Sequence, residues 1–387
     1  MKQYKICGVV TRAFGIRAFM IDNLKYVQAN GFDASFVCEK ENFSREELDD
    51  VVYHPIEMSR GFVSPIEILR VVCQLTKLFK KEKYDIVQYS SSNAGLYAAI
   101  ASWLARVPVR IYCMWGLTYV AETGFSRFFY KNLERVISLF STDVQPDSHA
   151  NMKIAIKDHL VSPKKIDVIH KGSATGVNLE KFNIKYKKIW REKIRKQYNI
   201  PVDAKVIGYV GRLVPEKGLN ELFEAFNRIN DNNVYMLMVG PNYNIEGLNQ
   251  KLYKVAVKNK HIIFVGSVSN PSKYYAAMDW FSLPSYREGF GSVVIEAASL
   301  GVPTICSNID GPTDFVKDGE NGLICEVKSV NSLYNVIVKA LALTDADYCK
   351  LSRNAYEAVK NDFDSKIFKQ YFLQNRLELI QKHVLKK

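Results

Sequence analysis

The segment Gly211-Arg212-Leu213-Val214-Pro215-Glu216-Lys217-Gly218 follows an apolar run, Val206 to Val210, and precedes a helical pattern from Asn220 to Ile229. Its two cations, Arg212 and Lys217, project from one glycine-flanked loop beside a helix start, where free backbone amides add positive charge. That arrangement can grip a diphosphate. The same residues also suit a solvated, charged loop. A second segment, Leu283-Pro284-Ser285-Tyr286-Arg287-Glu288-Gly289-Phe290-Gly291-Ser292, reads as strand, two-glycine turn and helix start; the helix carries Glu296 and stops at Gly301. The amides of Gly289 to Gly291 form a positive nest for phosphate. Glu288 and Glu296 flank that nest, and carboxylates so placed accept hydrogen bonds from sugar hydroxyls. Their interval alone decides little, because Glu39 and Glu47 share it. The glycine turn between them singles out the pair at 288 and 296.

Short β-branched runs alternate with helical ones along the whole chain. Tyr4 to Val10, Ala34 to Cys38, Asp85 to Tyr89 and Val109 to Cys113 read as strands, with helices at Arg17 to Asn30, Ser64 to Lys83 and Asn93 to Leu104. A second series of strands runs through Val206 to Val210, Val234 to Val239, Ile262 to Val265, Trp280 to Leu283, Pro303 to Ser307 and Leu323 to Cys325. This repetition predicts an α/β chain of two Rossmann-like, doubly wound domains with parallel sheets. In such sheets ligands sit at the carboxyl ends of the strands, where both segments above lie. The polar, basic stretch Asn183 to Lys188 puts the boundary near residue 185, giving domains 1–185 and 186–365.

With 387 residues, 48% hydrophobic and 24% charged, the chain is globular, which excludes disordered and collagen-like classes. Its net charge of +13 is dispersed and wants an anionic partner: a phosphorylated metabolite, nucleic acid or an anionic membrane face. No nucleic-acid motif interleaves the cations with aromatics, so no nucleic-acid partner is expected. Seven scattered cysteines without a C-x-x-C pair predict reduced thiols in a cytoplasmic protein. The opening residues read as a strand rather than a secretory leader, and Ser90 to Ala105 is too short to span a bilayer. The six histidines form no ligand cluster, and the triplets Asp345/Asp347 and Asp362/Asp364 read as helix-start carboxylates, so no metal site is expected.

Gly211-Arg212…Lys217-Gly218 and Glu288-Gly289-Phe290-Gly291…Glu296 together resemble the donor-site signature of the GT-B-fold, retaining glycosyltransferase family 4. Asp85 to Ala105 followed by Pro108 to Cys113, Gly172 to Phe182, and Gly301-Val302-Pro303 through Gly311, Asp318-Gly319 and Asn321-Gly322 extend the resemblance over nearly the whole chain. It implies two domains facing a cleft, an N-terminal acceptor side, a C-terminal nucleotide-sugar side, and a last helix, 366–387, packing back on the first domain. Arg212 and Lys217 match the family's cations on the donor diphosphate, and Glu296 its ribose carboxylate. Glu288 matches the glutamate near the donor sugar, while Gly211, Gly289, Phe290 and Gly291 line sugar and phosphate. The implied reaction moves a sugar from a UDP-sugar co-substrate to a saccharide or lipid-linked saccharide acceptor in bacterial capsule or O-antigen synthesis. No cofactor or metal is needed, since fixed cations and a helix start stabilise the departing diphosphate.

In similar enzymes the loop Thr11 to Arg17, with Gly15, approaches the donor phosphates or the acceptor; Arg12 and Arg17 also suit plain surface charges. The loop is no G-x-G-x-x-G, which takes the main support from a dehydrogenase reading. Met114-Trp115-Gly116 stands where many members carry a histidine, so no catalytic histidine is carried over. Trp115 packs against sugar or plugs the core. Phe125, Phe128, Phe129, Leu133, Val136, Ile137 and Phe140 form one helical stripe, which predicts a core-facing helix. The alternative for that stripe, with Arg127, Lys131 and Arg135 nearby, is an anionic membrane surface and a peripheral enzyme on the inner face. Two other functions compete: a nucleotide-sugar epimerase of the same architecture, and a non-enzymatic nucleic-acid or membrane-binding protein.

Overall fold

The computed structural model describes residues 3–59, 61 and 63–385. The chain divides into two units, Met1–Thr175 with Lys366–Lys387, and Gly176–Ser365. The division falls at 175–176 rather than at 185. Two backbone hydrogen bonds draw the intervening residues into the second unit, Val177 to Phe363 (2.7 Å) and Ser365 to Val177 (2.9 Å), and Phe182 is buried in that unit's core.

The first unit holds six parallel strands: β1 (Tyr4–Val9), β2 (Phe32–Cys38), β3 (Val52–Pro55), β4 (Ile86–Tyr89), β5 (Val109–Met114) and β6 (Asp143–Pro146), in the order β3-β2-β1-β4-β5-β6. Ile6, Cys7 and Val9 are fully buried because helices cover both sheet faces, which is why β1 reads as a continuous apolar run after Lys5. The helix Pro65–Glu82 shows the local logic. Ser64 caps it by accepting from the Glu67 amide, Pro65 needs no partner at the first position, and Val71, Val72, Leu75 and Phe79 face the sheet. Left-handed Lys83 ends it.

The last helix, Ser365–Ile380, belongs to the first unit almost entirely. It buries Phe368, Phe372, Leu379 and Ile380 beside Ile6, Ile86 and Ile111, each worth about 1.5–3 kcal/mol of apolar burial. Beyond it, Lys382 and His383 both reach Asp143 of β6 at 2.8 Å.

The second unit repeats the plan: β7 (Lys205–Val210), β8 (Val234–Val239), β9 (Ile262–Gly266), β10 (Trp280–Leu283), β11 (Thr304–Ser307) and β12 (Gly322–Cys325), in the order β12-β11-β10-β7-β8-β9 and all parallel. Two apolar clusters sandwich this sheet, one containing Val206, Leu237 and Phe281, the other Ile207, Met236 and Trp280.

Two expectations change. The stripe on the helix Gly124–Phe140 is core-facing only in part: Ile137 is buried and Leu133 and Phe140 pack against the core, while Phe125 and Phe128 are 73% and 66% exposed, with Leu139 beside the stripe 71% exposed. The inward face is narrower than the apolar one. Asp345 and Asp347 do sit in the first turn of the helix Asp345–Asp362, capped by Thr344, but Asp362 closes that helix instead of opening one.

Candidate active site

In the second unit the strand order reverses between β10 and β7. Chain segments leaving these neighbours diverge, which opens a crevice beyond their carboxyl ends. Both segments singled out from the sequence hang there: β7 runs through Gly211–Gly218 into the helix Leu219–Asn227, and β10 through Pro284–Gly291 into the helix Ser292–Ser299.

The two loops are tied together backbone first. Gly218 sits at φ 71°, and a Cβ on it would lie 1.9 Å from the Pro284 carbonyl oxygen, so only glycine permits the approach. The Tyr286 amide donates to the Glu216 carbonyl (2.9 Å), and the Tyr286 hydroxyl lies 2.8 and 2.9 Å from the two Glu221 oxygens. These ties fix the side chains between them. Lys217 Nζ donates to Glu288 Oε1 at 2.5 Å, and the Ser285 hydroxyl donates to the same oxygen at 2.7 Å. The lysine and glutamate side chains are only 17% and 11% exposed, so their attraction is screened less than a surface pair's. The other Glu288 oxygen has no partner among the described residues and stays available to accept a hydroxyl.

Immediately after this pair, Gly291 at φ 80° turns the chain into the helix Ser292–Ser299. No side chain caps that helix and no acid lies in its first turn, which leaves its positive end open to an anion. Phe290 is buried against Phe363, ring centroids 5.5 Å apart, and anchors the turn from below.

Arg212 extends from the same loop with its side chain 53% exposed, 3.9 Å from Glu216 and 5.9 Å from the Tyr243 ring centroid. Its backbone carbonyl accepts from buried Tyr209 (2.7 Å). Thus Lys217 and Glu288 meet, whereas Arg212 touches neither of them. Glu296 accepts from the Tyr275 hydroxyl at 2.9 Å; burial pushes its pKa up to about 7, against that hydrogen bond and the more distant charge of Lys181. Ser285 and Tyr275 were not singled out from sequence. Ser285 stands inside the motif, so its position was the available signal; Tyr275 lies on a different helix, Ser272–Ala277, and offered none.

In the first unit Gly15 is not in a loop. The helix Ala13–Phe19 starts before it, and Gly15 packs where a Cβ would lie 3.4 Å from Val10. Arg12 pairs with Glu39, and Arg17 with Glu47 at 2.8 Å, so both behave as surface charges. Trp115 packs against Phe19, centroids 5.0 Å apart.

Two doubly wound units, one with a cationic, glycine-lined notch at its switch point, have the architecture of the GT-B fold. Residues 190–361 match the model for glycosyl transferases group 1 and residues 5–148 that for glycosyl transferase 4-like proteins, and the chain belongs to this family. It is 31% identical over 95% of both chains to the capsular polysaccharide biosynthesis glycosyltransferase CapM of Staphylococcus aureus. It is 29% identical, over 90% of both, to the Escherichia coli UDP-Gal:alpha-D-GlcNAc-diphosphoundecaprenol alpha-1,3-galactosyltransferase. With the Campylobacter jejuni N,N'-diacetylbacillosaminyl-diphospho-undecaprenol alpha-1,3-N-acetylgalactosaminyltransferase it shares 24% identity, over 88% of this chain and 90% of that one. The fold superposes on a glycosyltransferase from Rickettsia africae with a TM-score of 0.80, at 23% identity, covering 99% of both chains.

Proposed function

We propose that the enzyme moves a hexose or N-acetylhexosamine from a UDP-sugar onto a polyprenyl-diphosphate-linked saccharide during assembly of a bacterial surface polysaccharide, with retention at the anomeric carbon. The observation that carries the diphosphate part is Lys217 paired with Glu288 beside an uncapped helix start at the switch point. Lys217 exchanges its carboxylate for the departing diphosphate, Arg212 swings in from solvent, and Glu288 holds a sugar hydroxyl. The acceptor hydroxyl oxygen bonds to the anomeric carbon as the carbon–diphosphate bond breaks, and its proton passes to the departing diphosphate. Protein charges stabilise what develops on that diphosphate, so the reaction runs without metal. Two relatives whose names specify diphospho-undecaprenol acceptors support the lipid-linked class.

The test offers UDP-, GDP- and ADP-sugars with a short-chain polyprenyl-diphosphate saccharide, with and without chelator. Transfer from a UDP-sugar with retained configuration and no chelator effect is expected. Interconversion of the sugar without acceptor would make the protein an epimerase, and loss of transfer with chelator would refute metal independence.

A second proposal follows from the exposed Phe125, Phe128 and Leu139, joined by Trp103, which is 51% exposed and lies 5.3 Å from Phe140 between ring centroids. This face rests on the cytoplasmic leaflet of the membrane and brings the enzyme to its lipid-linked acceptor, aided by Lys80, Lys81 and Lys83. No helix among the described residues is long and apolar enough to cross a membrane. Sedimentation with phosphatidylglycerol vesicles should fall severalfold in Phe128→Ser; equal binding would reject the face.

A further inference from the structure

The first unit contains a partly open cavity at the carboxyl ends of β4, β5 and β6, walled by Gln88, Cys113 and Gln145 from those strands. It measures about 30 Å³, room for on the order of two water-sized groups when one water needs roughly 10–15 Å³. A pyranose ring does not fit, but a substituent on one does.

Its charge favours a neutral occupant. Arg376, fully buried, donates to Gln88 (3.2 and 2.7 Å), Gln145 (2.8 Å) and Asn375 (2.6 Å), and its guanidinium lies 4.0 Å from the Phe372 ring centroid. Four of its five N–H groups are therefore spent on amide oxygens. Asp147 also lines the cavity, its Oδ1 accepting from Asn151. A cation entering would meet Arg376, and an anion would meet Asp147. The Cys113 thiol is pushed up to about 11 by burial and is no nucleophile.

Two polar groups in the wall have unspent capacity. Asn23, 2% exposed, donates from Nδ2 to the Ala174 carbonyl (3.1 Å), which fixes its amide and leaves Oδ1 buried without a partner. An orphaned buried acceptor is costly and calls for an N–H or O–H. Trp115 has an indole N–H that none of the described residues accepts, and its ring packs on Phe19. The remaining wall includes the apolar Met20 and Phe368. An acceptor needing a donor, a donor needing an acceptor, and an apolar surface together match the N–H, C=O and methyl of an acetamido group.

We propose that this cavity receives the acetamido group of an N-acetylated amino sugar in the acceptor, and so selects that sugar against its hydroxyl counterpart. The inference rests on the lipid-linked saccharide acceptor proposed above. Asn23 takes the amide hydrogen, the Trp115 indole donates to the carbonyl oxygen, and the methyl lies on Met20 and Phe368. The acceptors named for two relatives, both N-acetylated amino sugars on a diphosphate lipid, are of the chemistry it would take.

The experiment compares two acceptors identical except at C2, N-acetylglucosaminyl and glucosyl diphosphate on one short polyprenyl chain, across the UDP-sugar panel. Wild type should favour the acetamido acceptor in kcat/KM by roughly tenfold or more. Ala174→Val, which narrows the cavity, and Trp115→Phe, which keeps the ring without its N–H, should raise KM for that acceptor about fivefold or more while changing the glucosyl acceptor and UDP affinity little. Equal use of both acceptors by wild type, or parallel loss on both in the variants, overturns the pocket while leaving the enzyme's proposed function standing. Transfer to neither acceptor from any UDP-sugar overturns that function and the pocket with it.

Discussion

The proposed donor notch of the second unit and the cavity of the first both lie at carboxyl ends of a six-stranded parallel sheet, yet their parts come from very different distances along the chain. The notch is two continuous segments, 211–218 and 284–296, and its specification is largely backbone: Gly218 against Pro284, Gly291 into an open helix start. The cavity gathers residues from 19–23, 113–115, 145–147, 173–174 and 368–376. A diphosphate is common to many donors and can be held by one compact motif. A substituent that varies between acceptors is read by side chains dispersed over the domain, where each can change without dismantling the loop.

The comparison breaks first at Lys217. Lys217→Ala should lower kcat by about 10²–10³-fold, the usual cost of removing a stabiliser of developing charge, with little change in thermal stability because the side chain makes one ion pair; a variant within twofold of wild type would remove the notch from catalysis. Arg376→Met should act the opposite way. It strands the Gln88 and Gln145 oxygens in a buried place and should cost about 2–4 kcal/mol in chemical denaturation, while UDP affinity in the second unit is unchanged. A loss below 1 kcal/mol would contradict the tethering role of this guanidinium.

Each unit also carries a buried carboxyl whose pKa burial pushes up to about 7 from 4.5: Glu134, hydrogen-bonded to Tyr112 at 2.6 Å, and Glu296. The folded value lies above the unfolded one. The protonated carboxyl's stability is therefore full below about pH 4.5 and is lost as pH rises through about 7. Glu134→Gln, which cannot ionise, should be more stable than wild type at pH 8 by about 1–3 kcal/mol and no more stable at pH 4.5; identical pH dependence in the two proteins would contradict this. Glu296 extends the contrast, because in the proposed donor site a ribose hydroxyl donates to its ionised form. Between pH 6 and 8, UDP affinity should rise severalfold more in wild type than in Glu296→Gln, and parallel titration curves would move the ribose elsewhere.

Legibility from sequence follows the same division. All six strands of the second unit fall where the apolar runs put them, since each is covered by its own flanking helices. In the first unit β3 and β6 escaped notice. Val52-Tyr53-His54-Pro55 is a short edge strand ending in proline, and Asp143-Val144-Gln145-Pro146 looks polar because its partners, Lys382, His383 and Arg376, arrive more than two hundred residues later. The helix Gly124–Phe140 misled for a related reason: periodicity reports an apolar face but not whether the domain covers it. At the notch, residue types placed Lys217 and Glu288 near one ligand without revealing that they contact each other. Of the Asn23–Trp115–Arg376 wall, only Trp115 stood out in the sequence, as a residue that packs against sugar or plugs the core; Asn23 and Arg376 had no local signature.

The most direct test of the diphosphate assignment is a crystal structure of the full chain with UDP. The pyrophosphate is expected on Lys217 and Arg212 at the start of the helix Ser292–Ser299, with the ribose hydroxyls on Glu296. UDP bound away from these side chains, with Lys217 still joined to Glu288, would contradict that assignment.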